Sequence, residues 1–448
     1  MKVYSFSRGG IRFSDPSAPT GDSARVAFLP GISVIPLPKG GVAMAGAGDW
    51  VREGMLVARA ADENGAHIHA TVPGRVSHLA RWKDAGGEVN EALVIRMEGS
   101  FELLGKPEVR HRWEDCAPAE LRRLIEKYGI VEMEGAGRPA AAMLRETGET
   151  PGRATLVIRC VFDDPWLAAD RALCRERPGA VAEGSFIAAR AGGFSRIVFA
   201  VSKKETQMGM ALLAEVTNGD YADALLPVSM VPVGSRYPQG LRRELELVVR
   251  LWEKQEGFSL GRLTIFGPAT LAAIRDAAAL HKPILERYVA VGGSAVRHPQ
   301  VMRTRLGTRI GELFAECGGF VDQPVKIATG SPFLGRPVMD LDEPVTKTDY
   351  AVFALLKGAE KDTSARGACI SCGECRAVCP MGFDPEELYK WTRLGGANSR
   401  AADPAAPVCH GCGCCELVCP SHLPLSALLS GRAGHAGSPG TGEGTEHG

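Results

Sequence analysis

With 448 residues, 45% hydrophobic and 23% charged, the chain carries enough apolar material for several cores and reads as about three or four domains. Its 52 basic and 52 acidic side chains cancel, which argues against a broad surface for nucleic acid or another polyanion. No apolar run approaches the roughly 18 residues of a membrane span, and Met1–Gly10 lacks the apolar core of a signal peptide.

Residues 1–105 are rich in glycine, proline and short β-like runs. Ser33–Leu37, Leu56–Ala58 and Ala70–Val72 read as strands, with turns at 46–54 and 72–76. The Gly48-Asp49-x-Val51-x-x-Gly54 and Pro73-Gly74-x-Val76 pair is similar to the barrel-sandwich domains of lipoyl and biotinyl carriers. Those carriers present a modifiable lysine on a hairpin. The matching hairpin, His67 to Pro73, has none, so a structural or docking role is expected.

Residues 106–260 alternate helices and strands, the pattern of an α/β layer. Ala119–Lys127 reads as a helix, Ala154–Ile158 and Ser195–Val201 as buried strands, and Tyr237–Lys254 as an amphipathic helix opening on Tyr-Pro-Gln-Gly. In 261–345 the strands Tyr288–Val291 and Val325–Ile327 flank a helix, Arg309–Glu316. From 346 to 430 a helical region is expected, beginning with Asp349–Lys357. Asp384 is a good cap there, with proline at the first helical position and Glu387 three residues on. The tail, 431–448, is Gly, Ser, Pro and Thr with little to bury and reads as disordered.

Eight of the thirteen cysteines form two identical runs. They are Cys369-x2-Cys372-x2-Cys375-x3-Cys379-Pro380 and Cys409-x2-Cys412-x2-Cys415-x3-Cys419-Pro420. This is the spacing of two [4Fe–4S] clusters, in which the fourth cysteine of each run ligates the other cluster. It assigns Cys369, Cys372, Cys375 and Cys419 to one cluster, and Cys409, Cys412, Cys415 and Cys379 to the other. Zinc knuckles pair CxxC units around one tetrahedral ion and do not call for this longer run. Cys414 is a spare thiol or a substitute for Cys415; His410 is a surface residue. Thiolates in cluster spacing point to a reducing, cytoplasmic compartment.

Beyond the cysteines, a series of segments resembles RnfC, the C subunit of the Rnf ion-translocating electron transport complex. They are Arg8-Gly9-Gly10-Ile11, Pro36-Leu37-Pro38-Lys39, the loop Gly129–Pro139, Arg236–Gly240, Lys282–Arg287, Cys317-Gly318-Gly319 and Gly330–Gly335. The resemblance implies a multidomain α+β fold in four parts. A barrel-sandwich domain is followed by a complex I flavoprotein-like α/β domain, an SLBB β-grasp domain and an α-helical two-cluster ferredoxin domain. It implies electron transfer between NADH and ferredoxin, coupled to ion transport. The chain would be a peripheral subunit on the inner face of the cell membrane, with the other subunits of a membrane redox complex as partners.

The resemblance also implies FMN held by Gly135, Gly137, Asp163, Asp164 and Thr270. The family's loop, however, reads G-I-V-G-x-G-G-A-G-F-P. Here Glu132 and Glu134 replace two glycines and Arg138 the phenylalanine. A carboxylate about 4 Å from a phosphate costs about 4 kcal/mol at an effective dielectric of roughly 20. The acidic family stretch is Asp163-Asp164 with shorter side chains, and Gly267-Pro268-Ala269-Thr270 lacks the family's asparagine. Three departures around one pocket point to weakened or lost flavin binding. The alternative function is then a flavin-less, soluble iron–sulfur relay to a separate reductase or dehydrogenase. A non-redox scaffold with structural clusters is the third reading.

Overall fold

The structure, a computed structural model, describes residues 2–83, 88–148, 153–219, 226–332, 334–358, 366–393 and 409–429. It divides into two compact units, one of Met1–Phe6 with Ile11–Glu360 and one of Ser7–Gly10 with Lys361–Gly448.

The first unit begins with two small antiparallel sheets. One orders Ile32–Pro36, Val89–Met97, Gly74–Lys83 and Trp50–Val51; the other Val42–Ala43, Leu56–Arg59 and Ile68–His69. Ile35, Val51, Val57, Val72, Val76, Leu93 and Ile95 form their common core. The strand expected at Ala70–Val72 lies two residues earlier. Ala70, Thr71 and Val72 are buried, but Pro73 follows with no N–H to donate, and the Thr71 hydroxyl bonds the Leu306 carbonyl at 2.7 Å.

Next comes a parallel sheet ordered Val228–Val233, Arg196–Ser202, Ala154–Cys160 and Arg262–Phe266. Every residue of Ala154–Cys160 is buried, as a strand covered on both faces should be. Alternate side chains separate by face. Leu156, Ile158, Ile197 and Phe199 join the helices Pro178–Gly192 and Pro268–Ala279 in one core. Val157, Val198, Ala200 and Val231 meet Leu245, Val248 and Trp252 of the helix Arg242–Glu256 in another. That helix starts five residues later than expected, because Arg236–Leu241 closes into turns, Gln239 N–H to Arg236 and Leu241 N–H to Pro238. Arg262–Phe266 lies beside Ala154–Cys160, not with the strands that follow.

Those strands make a six-stranded mixed sheet ordered Ala24–Val26, Gln300–Arg305, Glu286–Gly292, Ala351–Leu355, Lys326–Thr329 and Arg336–Pro337. The helix Ile310–Glu316 buries Leu313 and Phe314 in the same core. The helix expected over Asp349–Lys357 is instead the strand Ala351–Leu355, parallel to Glu286–Gly292 and antiparallel to Lys326–Thr329. Its continuous apolar run has no period-2 alternation because both faces are covered, and periodicity cannot separate that case from a buried helix.

Among its described residues the second unit carries four short helices, Glu374–Ala377, Pro385–Arg393, Cys414–Val418 and Leu425–Leu429. Its two cysteine runs repeat in backbone as well as in sequence. Positive φ recurs at Ser371 (56°) and Gly411 (65°), at Gly373 (76°) and Gly413 (82°), and at Gly382 (72°) and His422 (53°). Glycine takes that conformation without strain, and it lets each run wrap tightly before its helix. Each proline leads on to a helix as expected. Asp384 caps the one after Pro380, accepting from Glu387 N–H at 3.2 Å. The tail 431–448 lies outside the described residues.

Candidate functional site

The cysteines of the second unit sort into two groups. One cavity is lined by Cys369, Cys372 and Cys375 together with Cys419, and closed by Ile370, Tyr389, Leu423 and Leu425. A second is lined by Cys409, Cys412 and Cys415 together with Cys379, and closed by Met381, Phe383 and Leu429. In each, three sulfurs come from one run and the fourth from the other. Burial pushes the Cys415 thiol up, and the neighbouring Cys412, Cys409 and Cys379 push it further. Cys379 is raised by burial too, against the backbone N–H groups of Phe383, Met381 and Gly382 that face its sulfur. Glu386 and Arg376 N–H groups do the same for Cys375. Cys414 is fully buried and lines the second cavity.

Among the described residues no three His, Cys, Asp or Glu side chains are arranged to hold a single metal ion. The cysteines surround cavities rather than one point. Each donor set, four sulfurs, apolar walls and inward N–H groups, has the chemistry that suits a four-iron cluster. One family-like segment belongs here as well: Gly10 N–H bonds the Val378 carbonyl at 2.9 Å, beside Cys379.

In the first unit the loop 129–139 sits against the start of the helix Pro268–Ala279. Thr270, fully buried, accepts from Met133 N–H at 2.9 Å. Its own N–H (3.0 Å) and hydroxyl both go to the Glu134 carboxylate. Glu132 is buried and paired with Arg242 at 3.2 Å. Burial pushes its carboxyl up, and Arg242 opposes that. The Glu132 carboxylate covers Gly135, where a Cβ would stand 2.5 Å from it. Glu134 covers Gly267 in the same way, with its Oε1 2.5 Å from a Cβ placed there. Gly137, at φ 74°, turns the loop beside Thr348.

The two aspartates are engaged elsewhere in the same unit. Asp163 accepts from Gly240 N–H at 2.9 Å, and burial pushes it up to about 7. Asp164 caps the turn Pro165–Leu167 by accepting from Trp166 N–H at 3.0 Å, and burial pushes it up to about 6. The buried Arg159 pairs with Asp170 at 3.2 Å. Thus Gly135 lies under Glu132 and Thr270 binds Glu134, while Asp163 and Asp164 accept from backbone N–H groups.

Sequence reasoning missed Lys347. Half-buried, and lowered by desolvation to about 7, it bolts the His67 carbonyl (2.9 Å) to the Gly129 carbonyl (2.7 Å) at the foot of the loop. Nothing in its local sequence marks it. The partners of Glu132 and Glu134 were missed as well, although carboxylates in a glycine loop were a signal.

Residues 125–256 match the family model described as the Nuo51 FMN-binding domain, and 288–342 match the SLBB domain. The C subunit of the ion-translocating oxidoreductase complex of Rhodobacter capsulatus is 31% identical over 357 residues, 79% of this chain and 67% of that protein. The chain belongs to this RnfC family. The C subunit of the proton-translocating ferredoxin:NAD(+) oxidoreductase complex of Clostridium ljungdahlii is 27% identical, over 76% of this chain and 73% of its own. Its counterpart in the Na(+)-translocating ferredoxin:NAD(+) oxidoreductase complex of Acetobacterium woodii is 25% identical, over 73% and 72%.

The flavin pocket of this RnfC chain fails a test of fit. A flavin phosphate needs open backbone over glycines and free N–H groups. Here Gly135 and Gly267 lie under carboxylates, and the Thr270 N–H is taken. The residues present do not fit a flavin phosphate. Among the described residues no helix is long and apolar enough to cross a membrane.

Proposed function

We propose that this chain relays single electrons through two [4Fe–4S] clusters as the peripheral RnfC component of an ion-translocating oxidoreductase complex. The observation that carries the reading is the exchange of Cys379 and Cys419 between the two cysteine-lined cavities. Cys369, Cys372, Cys375 and Cys419 hold one cluster; Cys409, Cys412, Cys415 and Cys379 hold the other. A bound [4Fe–4S] cluster takes up and gives back one electron at a time. The chain's own residues supply the rest. The thiolates fix position, the crossed cysteines tie the two halves of the unit together, and Leu423, Leu425, Tyr389 and Phe383 exclude water. The N–H groups facing Cys375 and Cys379 stabilise charge on sulfur, which raises a cluster's potential.

The partners are the remaining subunits of the membrane complex, met from its cytoplasmic side. The reading is supported by the RnfC relatives, two of which are named for ferredoxin:NAD(+) oxidoreductase complexes. Anaerobic assembly with iron and sulfide tests the proposal. The chain should take up about eight of each, from two four-iron clusters, and bleach on adding a one-electron donor. Zinc uptake, or iron that no donor reduces, would refute it.

A further inference from the structure

The carboxylates of the loop 129–139 do more than miss a ligand; they are held as a ligand would be. Glu134 lies on the first turn of the twelve-residue helix Pro268–Ala279, accepting from both the N–H and the hydroxyl of Thr270. A helix start with free N–H groups is where a phosphate binds, and here a side chain of the same charge sign has taken that place. Glu132 fills the adjoining space over Gly135 and is neutralised by Arg242. The buried cations of the region are Arg159, paired with Asp170 at 3.2 Å, and Arg287, which donates to the Met133 carbonyl at 3.1 Å and faces the same aspartate.

We propose that Glu132 and Glu134 occupy, from within the chain, the anion cradle of the FMN-binding domain that residues 125–256 otherwise match, so that this chain passes electrons with no flavin of its own.

Two features make this more than a loss of affinity. Gly135, a glycine that would admit a phosphate, is kept and lies under Glu132, while Gly267, standing where the family has asparagine, lies under Glu134. The same Thr270 that anchors Glu134 also fixes the loop through Met133 N–H, so the internal carboxylate stabilises the loop that an external phosphate would otherwise order. A consequence for the partner follows, and it rests on the relay reading. A hydride carries two electrons with its proton and needs a flavin or nicotinamide to receive it. A four-iron cluster accepts one electron. The donor to this chain is therefore a one-electron carrier, such as a reduced iron–sulfur protein or a flavin semiquinone held on another polypeptide. Each transfer oxidises that donor by one electron and reduces one cluster by one.

The test uses the full chain with its clusters assembled. Wild type should be flavin-free as purified and should leave added FMN fluorescence and mobility unchanged in equilibrium dialysis. The variant Glu132→Gly/Glu134→Gly should gain FMN binding by about a hundredfold or more, since one carboxylate near a phosphate weakens it about a thousandfold. The single variant Glu134→Gly, which disturbs the loop less, should recover part of that gain. Melting curves confirm that each variant is folded. Stoichiometric FMN on wild type overturns the proposal, and so do folded glycine variants that bind FMN no better than wild type. Iron content is read on the same samples. Its loss would count against the relay reading alone, so the two failures stay distinguishable.

Discussion

Cys379 and Cys419 are the residues on which the two cavities depend, because each supplies the fourth sulfur to the opposite run. Replacing either by alanine should remove one cluster and lower iron from about eight to about four per chain, read by iron analysis and by the loss of one paramagnetic signal on reduction. Cys414 shares a cavity with Cys415, but Cys415 stands at the position that repeats Cys375 of the first run. Cys414→Ala should therefore keep its iron where Cys415→Ala loses about half, and equal losses would reassign the ligand. Asp163 yields a pH-dependent prediction. Its folded pKa, about 7, lies above the ordinary 3.8. The favourable contribution of the protonated acid is thus complete below about pH 4 and is lost as pH rises through 7. Asp163→Asn, which keeps an acceptor for Gly240 N–H, should match wild type in stability near pH 4. It should exceed wild type by up to roughly 4 kcal/mol at pH 8, as denaturant titrations at the two pH values would register. The spacing of the cysteines was legible because covalent chemistry sets it. The engagement of Asp163 and Lys347 was not, since their partners lie 77 and 218 positions away.

At the scale of elements, amphipathic helices and alternating strands were read from the sequence nearly in place. Pro118–Lys127, Ala154–Cys160, Arg196–Ser202 and Ile310–Glu316 differ from expectation by two residues at most at either end. The failures share one cause. Ala351–Leu355 and Arg262–Phe266 are strands whose neighbours are distant in sequence, and local pattern does not show which sheet will accept a short apolar run. Ala351–Leu355 is central to its sheet, with Phe353 buried against Trp166 at 5.0 Å between ring centroids. Phe353→Ala should cost about 3–5 kcal/mol in chemical unfolding of the chain. A loss below about 1 kcal/mol would place the residue on the outside of an element.

For the whole molecule, the complex I flavoprotein-like part and the SLBB part after it were legible from short family-like segments strung along the chain, while the long-range returns of the chain were not. An early strand, Ala24–Val26, joins a sheet whose other members begin after residue 285. Residues 7–10 join the cysteine-bearing unit from the opposite end of the chain. Such returns are set by tertiary packing and leave no local mark. The electron-relay account comes down to what the eight cysteines hold. Metal and sulfide analysis of the anaerobically assembled chain, with electron paramagnetic resonance after reduction, addresses this most directly. The account predicts about eight iron and eight sulfide per chain and two spin systems close enough to couple. Zinc at these positions, or a single cluster that survives the loss of both Cys379 and Cys419, would contradict it.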